Sequence, residues 1–485
     1  MLKLSIKKAL VFLLLSLVLL VIQSCTTSTQ FKSAPYPTGP FTNDGRWILD
    51  SYGRVLLVHG VNMVYKQPPY YPAADGFSNQ DAELLFNHGF FIVRVGVLAT
   101  GLMPSPAGIN ESYITNVAQT VKMLARYHIL SLIDFHQDGW GPSLGNDGFP
   151  QWMTITGDAQ NTHTTFPLYY ISNPAIQAAF QNFWQNAQAS NKTYLLNDYA
   201  LMFKALAERF KNDPTVIGYD LFNEPWPGTN WSSCFNGCPD LDKNELNKAY
   251  SLAAAAIRDT GSKQIIFGEP FVLFNFGSET TYISPPGGSH DGGMSFHIYP
   301  FPGSYSSEFL AEKSTIQKAT KWSQLTGGAL LNTEWGATSD TTVLRTTSSL
   351  LNENLIPWIF WSFDGEIVKN LHQPLTGNNL VASTLLSLTQ PYPVAIAGTP
   401  LKYSYDFSNN NVVINYSTTN PAGLNLASKV PSLIFIPKQL YPKGFSIHLQ
   451  NATMLGRCHS GLLSIKATNS ASIAKIKITP GGRCH

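Results

Sequence analysis

The chain has 485 residues, 44% hydrophobic and only 13% charged, which is ample apolar material for one large domain and a smaller one. The formal charge is +2, and setting aside the three N-terminal lysines leaves −1, with no basic run anywhere, so the balance argues against nucleic acid as a partner. The 12% aromatic content fits either sugar-stacking surfaces or a thick core.

Lys3, Lys7 and Lys8 precede an apolar run from Ala9 to Ile22, interrupted only by Ser16, and no acidic residue occurs before Cys25. This is the pattern of a bacterial export signal, too short and wrongly flanked for a stable membrane span. Ile22-Gln23-Ser24-Cys25 resembles a lipoprotein processing box, which makes residues 1–25 a signal and Cys25 the candidate for lipidation. Simple cleavage with release is the alternative. The expected location is therefore outside the cytoplasm, as a lipoprotein of the outer membrane or cell surface or as a secreted protein. Thr26–Pro40 is rich in Thr, Ser and Pro and has little to bury, so residues 26–46 are expected to be a flexible tether.

From Trp47 onward, strand and helix patterns alternate. Val55–His59 is an apolar run, Asn79–His88 a short helix closed by Gly89, and Phe90–Leu98 a second strand containing Arg94. Tyr113–Tyr127 has helical spacing, and Ile129–Phe135 is a third strand. Gly139–Pro174 is too long for a plain connection and is expected to wall a binding cleft. Helical sequence through Lys211 leads to Val216–Phe222, a β-branched and aromatic run cut off by Pro225, where ladder donation stops. Beyond it come a helix over Lys243–Thr260, strands Gln264–Gly268 and Met294–Ile298, a helix near Phe309–Leu325, strand Ala329–Thr333, a helix near Thr342–Glu353, and strand Ile356–Trp361. Eight strands alternating with helices predict an α/β fold, a (β/α)8 TIM barrel over residues 47–388. Gln390-Pro391-Tyr392-Pro393 reads as a stiff linker, placed at 389–398. Lys402–Phe407, Asn411–Tyr416, Ser432–Ile436, Ser446–Gln450 and Leu462–Lys466 then predict a small all-β sandwich domain over 399–485.

Besides Cys25 there are four cysteines: Cys234 and Cys238 in the Gly/Pro-rich loop after the fourth strand, and Cys458 and Cys484 near the C-terminus. An exported chain favours two disulfides. Metal binding is the rival for Cys234-x3-Cys238, but that loop offers no further Cys or His.

The chemistry gathers at the strand ends. The fourth strand delivers Asn223 and Glu224, and the seventh leads into Glu334-Trp335-Gly336. One strand-end glutamate alone reads as an ion pair or a helix cap. Two carboxylates at the mouth of one barrel, each beside a large aromatic, are what glycoside cleavage through a covalent intermediate requires. Asp134, His136 and Asp138 occupy alternate positions as the third strand runs out, so an extended backbone projects all three to one side. Such a cluster suits a metal or sugar hydroxyls, and sugar binding is favoured because acetal hydrolysis needs no metal; no cofactor is expected.

Asn223-Glu224-Pro225 with Glu334-Trp335-Gly336 resembles glycoside hydrolase family five, and the string Asp220–Gly228 with Asp134-Phe135-His136-Gln137-Asp138 is similar to its endoglycoceramidase branch. The resemblance runs in order over Gly60–Trp361. It implies that Glu224 is the acid/base and Glu334 the nucleophile of a retaining hydrolase. It implies that Lys66, Asp134, His136, Asp138, Asn223, Tyr299 and Trp361 contact substrate, Tyr299 also orienting the nucleophile and Trp361 lying under the cleavage-site sugar. Arg94 and His297 are expected in supporting roles, with a packed core histidine the alternative for His297. The apolar run Phe271–Phe276 is expected either in the core or lining a slot for an alkyl chain. The implied substrate is a glycosphingolipid cut between glycan and ceramide, by a monomer held at a membrane surface through its tether or its substrate. The alternatives are a β-glucanase or cellulase, a β-glucosidase acting on glucosylceramide or steryl glucoside, and a non-catalytic glycan-binding lipoprotein.

Overall fold

In the computed structural model, which describes residues 31–277, 281–300, 309–468 and 472–484, eight parallel strands close into a barrel. They are β1 (His59–Met63), β2 (Ile92–Leu98), β3 (Leu130–His136), β4 (Val216–Asp220), β5 (Ile265–Gly268), β6 (Gly292–Ile298), β7 (Ala329–Trp335) and β8 (Trp358–Phe360). Every residue of all eight is buried. One side packs into the barrel and the other against helices, which is why these strands read as continuous apolar runs. The helices that follow β1 to β4 are α1 (Asn79–Asn87), α2 (Glu111–Arg126), α3 (Leu195–Phe210) and α4 (Asn247–Asp259). Those that follow β6 to β8 are α5 (Leu310–Thr326), α6 (Thr341–Glu353) and α7 (Ala382–Leu388). In α2 the Asn110 side chain caps the helix by accepting from Tyr113 N, and Ile114, Val117, Val121 and Leu124 form its buried stripe. After β5 the described residues carry only a 3-10 turn, Val272–Phe276.

The first barrel strand begins at His59, not Val55. Val55 and Leu56 instead pair with Leu49 and with Ile396 and Ala395 in an outer sheet. A fully apolar run fits either sheet equally well, so periodicity does not separate them. The strand count is unchanged, and Glu224 follows the fourth strand while Glu334 lies in the seventh.

Residues 34–46 also depart from the expected tether. Thr42–Asp44 and Trp47–Leu49 form an antiparallel hairpin with Phe41 and Ile48 buried. Asn43 N donates to His290 O at 3.0 Å, and Leu330 N donates to Arg46 O at 3.1 Å, so the hairpin closes the N-terminal end of the barrel. The Thr/Ser/Pro content concealed two apolar anchors and a paired backbone. The export signal, Cys25 and residues 26–30 lie outside the described residues.

The expected linker is another correction, because Tyr392–Ile396 is an interior strand. It pairs with Val55–Leu56 on one side and Ser432–Ile436 on the other, with a register shift next to Pro393 that accommodates the missing donor. The resulting seven-stranded sheet runs from the N-terminal hairpin through Tyr392–Ile396, Ser432–Ile436 and Gly461–Ala467 to Ala452–Leu455. A four-stranded antiparallel sheet, Thr399–Asp406, Asn411–Ser417, Ile473–Pro480 and Phe445–Gln450, completes the C-terminal layers. Ile434, Leu463 and Ile465 from the first sheet share a core with Val412, Ile414 and Ile476 from the second. That core continues into Ile92, Leu130, Ile265 and Leu331 of the barrel. The His59 imidazole, stacked between Trp358 and Tyr392 at 4.1 and 3.7 Å, fastens the two parts together. Residues 33–485 accordingly form one compact unit. Disulfides join Cys234 to Cys238 and Cys458 to Cys484.

Candidate active site

β4 ends at Asp220, and the chain turns outward over Leu221–Pro225 at the C-terminal mouth of the barrel. Gln137 anchors the turn, its Nε2 donating to the carbonyls of Asn223 at 2.8 Å and Glu224 at 3.2 Å. Glu334 comes up on β7 after a register shift between Asn332 and Glu334, which turns its side chain into the mouth. Both glutamates are buried.

One imidazole ties the pair together. His297 Nδ1 lies 2.9 Å from Glu224 Oε1 and 3.4 Å from Glu334 Oε2. The two facing oxygens can be no further apart than these distances laid end to end, a close approach of the kind a retaining pair makes. Tyr299 donates its hydroxyl to Glu334 Oε2 at 3.2 Å, and Arg94 Nη1 donates to Oε1 at 2.7 Å. Arg94 is fully buried and spreads its charge over several partners. Its Nε donates to Asp220 at 2.9 Å, Nη2 to Asn223 Oδ1 at 3.0 Å and Nη1 to Asn62 Oδ1 at 3.2 Å, while Nη2 ion-pairs with Asp134 at 2.7 Å. Asn223 also donates from Nδ2 to Gln137 O at 3.0 Å, which engages one of its two amide hydrogens.

Asp134, His136 and Asp138 stand in a row. His136 Nδ1 is 2.8 Å from Asp134 Oδ2, and its Nε2 is 3.3 Å from Asp138 Oδ2. Lys66 Nζ bonds Asp138 and lies 4.7 Å from the centre of the Trp361 ring, against which His136 also stacks at 5.4 Å. Asp147 reaches the same cluster from the loop after β3, where its backbone pairs both ways with that of Asp138.

Burial dominates the electrostatics. It pushes Glu224 up to about 7, helped by the negative charge of Asp138, and it also raises Glu334. Burial lowers His297 to about 3, so its imidazole is neutral. For His136 burial works downward, but Asp134 and Asp138 prevail and hold it at about 9, a cation donating from both nitrogens. Asp138 is likewise pushed up by burial and drawn further down by Lys66 and His136.

The site thus pairs a carboxyl that keeps its proton near neutral pH with a carboxylate clamped by Arg94 and Tyr299, as acid and nucleophile require. His136, Asp138 and Asp147, or Glu224, Glu269 and His297, come close enough together to hold a cation. In the first group, however, Lys66 and a charged His136 already neutralise the carboxylates, and an imidazolium cannot ligate.

Phe271–Phe274 are buried, which places that run in the core rather than along an alkyl slot. Trp358 is core as well. Part of the loop expected to wall the cleft also packs inward, with Trp140 stacked on Phe149 at 4.2 Å. Sequence reasoning missed Asn62, Gln137, Asp147 and Glu269. Gln137 stood inside the Asp134–Asp138 string, and Glu269 carried a signal of its own, a Glu-Pro pair closing β5 as Glu224-Pro225 closes β4.

The sequence pattern described as Cellulase (glycosyl hydrolase family 5) matches residues 49–366, and that of the glycoside hydrolase family 5 C-terminal domain matches 390–479. The chain is 29% identical over 466 residues to endoglycoceramidase I of Rhodococcus hoagii, covering 92% of this chain and 90% of that protein. It is 27% identical to the endoglycoceramidase of Cyanea nozakii, covering 82% of this chain and 84% of that one. The solved structure of endo-glycoceramidase II from a Rhodococcus species in complex with ganglioside GM3 superposes with a TM-score of 0.75. It is 22% identical and is covered to 99% by 90% of this chain, a likeness of fold.

Proposed function

The chain belongs to glycoside hydrolase family 5, and from that premise we propose that it is a retaining endoglycoceramidase, releasing an intact glycan and free ceramide from glycosphingolipids. The observation that carries the reading is the single imidazole bridging two buried carboxylates, one raised to about 7 and the other held by Arg94 and Tyr299. Glu224 protonates the glycosidic oxygen while Glu334 attacks the anomeric carbon. Glu224 then takes a proton from the water that hydrolyses the glycosyl-enzyme. The remaining Nδ2 hydrogen of Asn223 serves the 2-hydroxyl of the sugar, where the bond strengthens in the transition state. Lys66, Asp138 and His136 supply the charged and polar partners for glycan hydroxyls.

The aglycone is assigned on two supports. Curated relatives that bear the endoglycoceramidase name match along most of this chain. The loops past β3 and β4 expose Phe166, Leu168, Ile171 and Phe235 on the side of the barrel that holds the site, apolar groups suited to a lipid surface. We further propose export with a lipid anchor at Cys25, supported by the N-terminal lysines and the apolar run behind them. Mass spectrometry of the mature N-terminus reads this directly, since an acylated Cys25 supports the anchor and an unmodified downstream residue contradicts it.

The substrate test is incubation with glucosylceramide, lactosylceramide, a ganglioside, a steryl glucoside and a soluble β-glucan, with both products identified by mass spectrometry. Ceramide together with intact lactose or ganglioside glycan is the expected result. Turnover restricted to glucosylceramide or steryl glucoside makes the protein a β-glucosidase, turnover of β-glucan alone makes it a glucanase, and binding without turnover makes it a lectin-like lipoprotein.

A further inference from the structure

Glu269 belongs to none of the steps above, yet it touches the acid/base by two routes. It closes β5, and its carboxyl is fully buried. Oε2 accepts the backbone N–H of Glu224 at 2.9 Å, and Oε1 accepts from Asn275 Nδ2 at 2.9 Å. Asn275 Oδ1 takes the N–H of His297 at 3.0 Å, so the same amide places both Glu269 and the imidazole. His297 Nε2 then faces Glu269 Oε2 at 3.5 Å, while its Nδ1 meets Glu224 Oε1 at 2.9 Å. Tyr250 donates its hydroxyl to the Glu269 carbonyl at 2.6 Å and fixes the backbone from below.

We propose that Glu269 is a positioning residue for the acid/base, holding the Glu224 backbone directly and setting, through His297, the hydrogen bond on Glu224 Oε1. The inference rests on the glycosidase reading above but not on the identity of the aglycone. The direct route matters because Glu224 sits at φ 43°, in the left-handed region. A non-glycine residue there costs ~1–3 kcal/mol and persists only where its surroundings over-determine it. A buried acceptor on its N–H is such a constraint. The indirect route follows from proton count: a neutral imidazole has one N–H. Nδ1 has carboxylate oxygens at 2.9 and 3.4 Å, while Nε2 makes no hydrogen bond among the described residues, so the hydrogen lies on Nδ1, directed at Glu224 Oε1. Glu269 holds that direction through Asn275, whose side chain bonds both the Glu269 carboxyl and the His297 backbone N–H.

In glycosylation the Glu224 proton passes to the glycosidic oxygen. Glu334 forms its bond to the anomeric carbon as the bond to the leaving oxygen breaks, and the electron pair leaves with that oxygen. The Nδ1–H bond steadies the Glu224 carboxylate this step creates, and Glu269 itself gains and loses nothing.

A residue acting through the acid matters in proportion to how much the leaving group needs a proton. The test compares wild type with Glu269→Gln and Glu269→Ala on aryl β-cellobiosides and β-lactosides, from 2,4-dinitrophenol to phenol as leaving group. Rates are referred to active sites counted from the burst with a 2,4-dinitrophenyl 2-deoxy-2-fluoro glycoside, so that loss of folded protein does not enter. The expected result is kcat/KM for glycosylation within ~3-fold of wild type on the dinitrophenyl substrates, with the loss growing to ~10–100-fold on the phenyl ones and KM little changed, a fraction of the ~100–10,000-fold that general acid catalysis supplies. An equal loss across the series, or none anywhere, overturns the role of Glu269 while leaving the glycosidase reading intact. Failure of wild type to turn over any member overturns the hydrolytic site and the proposal with it.

Discussion

A carboxyl group taken out of water keeps its proton to higher pH, and a second negative charge nearby raises it further. Glu224 has both influences and stands at about 7, with burial the larger and Asp138 the next. It must be protonated to act as an acid, so kcat/KM should fall along an alkaline limb near that pH. Asp138→Asn removes a charge that favours the proton and also frees Lys66, which disfavours it; both effects lower the Glu224 value. The limb should therefore move to lower pH in that variant, and a limb that stays or moves upward would contradict the coupling. Glu334→Ala should lose on the order of 10⁴-fold or more. Azide should partly restore turnover as a glycosyl azide of inverted configuration, read by proton NMR; a retained azide would instead mark Glu334 as the acid/base. Both glutamates were legible in the sequence because each ends a strand run in a distinctive tripeptide. Asp147 was not, since it enters from a loop whose course only tertiary packing fixes.

Strand β4 shows how tightly an element can constrain the site it carries. A Cβ on Gly218 would stand 2.1 Å from the carbonyl oxygen of Ile265 on β5, backbone that cannot move aside. Gly218→Ala should destabilise the protein by ~1–3 kcal/mol, measured by urea unfolding, and should lower kcat by disturbing the turn that presents Glu224. An unchanged midpoint would mean that the two strands can part. The order of barrel strands and helices was readable from period and from Gly and Pro punctuation. Boundaries were less so: Val55–His59 proved to contribute to two sheets, because a wholly apolar run satisfies either burial. Phe271–Phe274 was ambiguous for the same reason, and packing alone put it in the core.

Across the molecule, the barrel and the C-terminal sheets share their interior. Tyr392–Ile396 pairs with strands from both ends of the chain, and the core joining Ile92 and Leu331 to Ile434 and Ile476 has no seam. Composition concealed this, since Pro391 and Pro393 read as a spacer and residues 26–46 as a tether. The consequence is that the barrel does not stand alone. A chain ending at Leu388 should be insoluble or lose cooperative unfolding, because it exposes the edge of Val55–Leu56 and uncovers the Phe91 side of the core. A soluble, active fragment would show that the C-terminal layers are dispensable. This joined scaffold presents one carboxylate pair to the bond between glycan and ceramide. Cleaving a ganglioside with the protein in ¹⁸O-enriched water, and weighing both products at early times, reads which bond is broken. The expected products are an intact oligosaccharide carrying one heavy oxygen at its reducing end and unlabelled ceramide; sugars released one at a time from the outer end, or no ceramide at all, would rule out cleavage at that bond.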